Sequence, residues 1–200
     1  MTEHIQEFNR RAVQASTALV AAVTVTDLAR PTPCLGWTVA DLVAHMTAQH
    51  QGFAAAALGD GATLSHWAVH PDASDLVGAH REAADAVLHA FAADGVLDRR
   101  FVLPEIFAEA TFSGEEAIGF HFIDYLVHAW DMARSLNRAW APGVDLAHAA
   151  LGLTRTIPNG AERLAPGAAF APGRAAGADV DPFAQVLLLL GRDPALASAR

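Results

Sequence analysis

GEEAIGFHFIDYLVHAWDMARSLN, residues 114–137, decides the fold. It contains no proline and a single internal glycine, so nothing in it stops a helix. At about 100° per residue, His121, Asp124, Tyr125 and His128 fall within roughly a 100° arc. Ala117, Ile118 and Met132 share that stripe. A mainly apolar stripe faces a core, so the polar residues on it are expected to point into the interior of a helical bundle.

The neighbouring segments repeat the helical pattern. Residues 4–22 keep Ile5, Phe8, Val13 and Leu19 at helical spacing, and a helix is expected there. ARPTPCLGW, residues 29–37, is a connector, because two prolines and a glycine break any helix. Thr38, with Asp41 three residues on, forms a capping-box pattern that starts a second helix over about 39–58. Gly59-Asp60-Gly61 ends it. A third helix is expected over about 74–93. RRFVLPEIFAEATF, residues 99–112, suits a short strand or hairpin interrupted by Pro104. A fifth, weaker helix covers about 144–155. Pro166, Gly167, Pro172, Gly173, Gly177 and Pro182 make 165–182 an extended loop, and a last short helix over about 182–190 ends at Gly191. The fold class expected is all-α: a four-helix bundle as one unit over residues 1–200. Its core is about 4–140, and a loop and helix extension follows over about 141–200.

Composition narrows the function. The chain has 200 residues, 52% hydrophobic and 18% charged, which suits a folded globule. With 22 acids against 13 bases its formal net charge is −9. That balance argues against nucleic acid and against anionic lipid, both of which need a basic face. No apolar run approaches the roughly 20 residues needed to span a bilayer, and the charged N-terminus MTEHIQEFNRR does not suit a signal peptide. One cysteine excludes an internal disulfide and a cysteine-cluster metal site. A soluble cytoplasmic protein is expected.

The ten histidines carry the chemical reading. Side chains four apart on a helix stand one above the other, so Asp124 and His128 can converge on one ion. His45, on the expected buried side of the second helix, is the natural third ligand. His50 lies about 140° further round and points elsewhere. Two histidines and a carboxylate suit zinc, with nickel, iron or manganese also compatible, and leave positions open for water or substrate. The bland alternative is a core histidine bonded to Asp124, with His45 filling a packing gap. His121 is two turns, about 10 Å, from His128, so it reads as a proton carrier or pocket residue more readily than as a fourth ligand. Tyr125 could donate to a substrate oxygen or simply pack. Asp131 suits a group that orients a ligand imidazole, or a solvated residue near the helix end. Cys34, among prolines with no base beside it in sequence, reads as a small buried residue. His66, Trp67 and His70 fall in a loop. No Walker loop, GxGxxG, HExxH or GxSxG occurs.

PTPCLGWTVADLVAHM, residues 31–46, and DYLVHAWDMA, residues 124–133, resemble the two signatures of the DinB-like superfamily. They are closer still to the N-terminal metal-binding domain of mycothiol-dependent maleylpyruvate isomerase and its short actinobacterial relatives. FAQVLLLLGRDP, residues 183–194, is similar to the ending of that short branch. The resemblance implies a four-helix bundle holding a divalent metal, usually zinc, on His45, Asp124 and His128. It also implies a low-molecular-weight thiol such as mycothiol as cosubstrate, held as thiolate by the metal. Two departures stand out: Asp124 replaces a glutamate, and only about 60 residues follow the fourth helix where the isomerase has a further domain.

The expectation is therefore a metal-dependent transferase or isomerase acting on a small, mostly hydrophobic organic substrate. His121 and Tyr125 are the catalytic candidates. With water in the open position, the same site would serve a hydrolase or lyase. The competing class is a non-catalytic, metal-stabilised bundle that binds a ligand. A homodimer through an exposed helix face is compatible with either.

Overall fold

Helix α1 (Thr2–Val20) buries Ile5, Asn9, Ala12, Val13, Ser16, Leu19 and Val20, a three-and-four spacing that turns one stripe inward. Arg10, paired with Glu7, stays on the solvent side. Helix α2 (Val39–Ala57) begins as its cap predicts: the Asp41 amide donates to the Thr38 hydroxyl, and the Thr38 amide donates back to the Asp41 carboxylate. Its alanines let neighbours approach closely, and most of its surface is buried. Asp75 caps α3 (Leu76–Phe91), and Ser113 with Glu116 caps α5 (Gly114–Ser135). The computed structural model describes residues 2–107, 110–165, 168–177 and 179–195.

These four long helices close a ring, with α1 against α5, α5 against α2, α2 against α3 and α3 against α1. Phe122, Leu126, Met46, Leu42 and Ile118 lie fully inside it. Burying a side chain of that size contributes about 1.5–3 kcal/mol. The fold is the expected all-α, DinB-like bundle. The expected hairpin is present as β1 (Arg100–Val102) paired antiparallel with β2 (Thr111–Ser113), Phe101 opposite Phe112. Pro104 begins a one-turn helix, α4 (Pro104–Phe107), between the strands, where a missing amide costs no ladder bond. Residues 108 and 109 of that connection lie outside the described residues.

The chain divides into two compact units, Met1–Arg138 and Ala139–Arg200. In the second, α6 (Val144–Thr154) packs on α7 (Pro182–Leu189). Arg163 ties the loop between them by donating to the carbonyls of Pro158, Ala171 and Leu189. Gly191, with φ +79°, ends α7 where the sequence places the stop. Pro166 and Gly167, part of the expected loop, lie outside the described residues. Among the described residues no helix is long and apolar enough to cross a membrane.

Candidate metal centre

The capped start of α2 and the preceding turn set the position of His45. Trp37 closes that turn, its amide donating to the Cys34 carbonyl at 3.0 Å, and its indole lies 4.8 Å from the His45 ring centroid. Across the bundle, the His45 and His128 rings meet edge to face at 5.3 Å. On α5, Asp124 and His128 stand one turn apart, with Asp124 Oδ1 3.3 Å from His128 Nε2. The ligand atoms of His45, Asp124 and His128 all lie within 4.8 Å of one another. His128 is buried and the other two are half-buried.

The electrostatics of the trio are dominated by the Asp124–His128 pair. Burial disfavours charge on both members of the Asp124–His128 pair, but their mutual attraction outweighs it. Asp124 is held at about 2. His128 is pushed well above the ordinary imidazole value, helped by hydrogen bonding with Asp124, Asp131 and Cys34.

Asp131 is buried against the His128 ring rather than solvated. Its fully enclosed carboxylate accepts from His128 Nδ1 at 2.9 Å, which leaves Nε2 facing Asp124 and His45. The Cys34 thiol donates to the same Asp131 oxygen at 3.4 Å. Cys34 therefore differs from its sequence reading: it is half-buried and beside a carboxylate. Position 34 meets position 131 only through the fold, and no spacing rule connects them.

His121 and Tyr125 lie behind the trio, fully buried. His121 uses both ring nitrogens inside the protein, with Nε2 3.1 Å from His50 Nδ1 and Nδ1 2.7 Å from Asn9 Oδ1. The Tyr125 hydroxyl donates to the Met46 carbonyl. Its ring stacks against both His50 and His121, at 3.9 and 4.2 Å. His50, read as pointing elsewhere than His45, does so: it joins His80, 5.0 Å away, in this interior cluster. Burial keeps these histidines neutral, with His80 lowered to about 4 and His121 to about 3. Outside the bundle core, His66 pairs with Asp60 at 2.9 Å, and Trp67 is inserted, its indole donating to the Gly61 carbonyl.

The profile of the mycothiol maleylpyruvate isomerase N-terminal domain matches residues 9–133, which carry both signatures and all three ligand candidates. The chain belongs to this family. An uncharacterized protein of Mycobacterium tuberculosis, from two strains, is 31% identical over 189 residues, covering 92% of this chain and 95% of its own. Two crystal structures of the mycothiol-dependent maleylpyruvate isomerase, one of a histidine-to-alanine mutant, share the fold. They align with TM-scores of 0.56 and 0.59, covering 77% of this chain and 68% of theirs. At 16% and 13% identity the likeness is one of architecture.

Proposed function

We propose that the chain is a metal-dependent enzyme of the isomerase or transferase type. It would act on a small, mostly hydrophobic organic molecule with a low-molecular-weight thiol of the mycothiol kind as cosubstrate. The observation that carries this reading is the convergence of His45, Asp124 and His128 ligand atoms within 4.8 Å. Family membership supports it, because the family's named enzyme is a mycothiol-dependent isomerase.

The residues present fit a divalent cation of the zinc class. Two imidazoles and one carboxylate are the right donors, and three protein ligands leave a position open for a substrate. The cation, when bound, supplies Lewis acidity that lowers the pKa of a thiol and holds its thiolate. Asp131 holds the Nδ1 proton of His128, so the Nε2 lone pair is the one presented. Trp37 packs against His45 and fixes the plane of its ring. Asp124 supplies the negative charge. His121 and Tyr125 brace α5 against α2 through His50 and Met46, and their part is to keep the ligand face in register.

The test is metal content of untagged protein, measured on wild type, His45→Ala and His128→Ala, with melting curves on the same samples. Close to one equivalent of divalent metal per chain is expected in wild type and little in either variant. Metal-free wild type that takes up neither zinc nor nickel would overturn the reading. With the site loaded, thiols paired with electrophilic substrates are the activity screen.

A further inference from the structure

The His128 ring is flanked by two ligand sets, one at each nitrogen. Nε2 faces Asp124, and Nδ1 faces Asp131 Oδ2, which lies 3.4 Å from Cys34 Sγ. The donor atoms of Cys34, His128 and Asp131 also lie within 4.8 Å of one another. Thiolate, imidazole and carboxylate around one point suit a borderline or soft divalent ion. Zinc takes sulfur at about 2.3 Å and nitrogen at about 2.0–2.1 Å, and thiolate raises preference for softer ions over hard ones.

The surroundings fit an ion as well as the donors do. Cys34 is held by its loop: its amide donates to Thr32 Oγ1 at 3.2 Å, and its carbonyl accepts from Thr32 Oγ1 and from the Trp37 amide. Gly36, with φ +81°, makes that turn possible, and the Pro31–Thr38 bridge closes the loop. The thiol is thereby fixed over Asp131. It is also half-exposed, which gives an ion a way in, whereas Asp131 and His128 are enclosed and water competes weakly for them.

We propose that Cys34, His128 Nδ1 and Asp131 form a second cation site, selective for thiophilic divalent ions such as zinc and cadmium. Its occupation excludes occupation of the His45–Asp124–His128 site. The exclusion, though not the second site itself, rests on the inner centre proposed above. A neutral imidazole has one N–H and one lone pair. With an ion inside, Nε2 is the ligand and Nδ1–H donates to Asp131. With an ion outside, Nδ1 is the ligand and the ring proton sits on Nε2, donating to Asp124. The thiol proton leaves to solvent, and no electron is transferred. A thiophilic ion in the outer site thus removes one of the three inner ligands.

Cys34 is the sole cysteine, so any thiolate signal reports on it alone. Metal-stripped protein is titrated with cadmium while the near-ultraviolet thiolate-to-cadmium band and the reaction of Cys34 with a disulfide reagent are followed. A band saturating near one equivalent, with Cys34 protected, is expected. Cys34→Ser should abolish the band, and Asp131→Asn should weaken cadmium binding roughly 10- to 100-fold. His45→Ala should retain the band, because the outer set does not use that residue. Cadmium binding without a band, or a band of undiminished affinity in Asp131→Asn, would overturn the site. If His45→Ala leaves nickel uptake intact while the band behaves as expected, the inner reading fails and the outer site stands. In nickel-loaded protein, the band should grow only as nickel is released. Both ions bound together would overturn the exclusion.

Discussion

Asp131 Oδ2 lies 2.9 Å from His128 Nδ1, three residues away on one helix, and its side chain has no exposed surface. That contact decides which nitrogen of His128 faces His45 and Asp124. Asp131→Asn keeps the shape but loses the charge that fixes the tautomer. Nickel or zinc affinity at the inner trio should fall about 10- to 100-fold, with the helical circular dichroism unchanged. An unchanged Kd by calorimetric titration would show that the ring is held by packing alone.

The interior histidines predict an acid-sensitive fold. His80 is lowered from 6.5 to about 4 by burial, so the unfolded chain binds its proton first as pH falls. The His80 contribution is then level above about pH 6.5 and is lost between there and about pH 4, by at most about 3 kcal/mol. His121, lowered to about 3, extends the decline further. Urea unfolding of wild type and His80→Leu from pH 7 to pH 4 should show a shallower loss in the variant. Equal slopes would mean that His80 does not carry the effect.

Gly52 lies inside α2, where alanine would ordinarily gain about 1 kcal/mol in helix propensity. Here a Cβ would run into the Trp67 ring. That indole is buried and anchored to the Gly61 carbonyl at 2.9 Å, so it has little freedom to give way. Overpacking of about 1–3 kcal/mol should win, and Gly52→Ala should lower Tm. A raised Tm would show that Trp67 can move aside.

Tyr125→Phe removes the hydroxyl that donates to the Met46 carbonyl. The cost should be about 1 kcal/mol, read as a lower urea midpoint. Metal content should not change, because the ring, still stacked on His50 and His121, keeps α5 against α2 without the hydroxyl. Loss of metal in this variant would place Tyr125 closer to the ligand set than its hydrogen bond indicates.

Much of the bundle is legible in residue order, because its determinants are local. The three-and-four spacing of α1 and α5, the Thr38–Asp41 cap, and the left-handed Gly191 each act within a few residues. Asp124 and His128 belong to the same class, since one helical turn sets their separation. Pro104 shows where local signals needed help: a one-turn helix lets the proline sit between paired strands, which sequence alone marks only as an interruption.

What the sequence by itself determined was an acidic, helical chain with an Asp124–His128 pair one turn apart on one helix and a candidate partner, His45, on another. Tertiary structure alone decided how the remaining polar groups are shared. Asp131 meets Cys34 across 97 positions, and His121 meets His50 across 71 and Asn9 across 112. Such pairings have no period, because they follow from which helix faces pack together. They separate the His45–Asp124–His128 trio proposed as the ion site from the buried histidines that hold α1, α2 and α5 in register.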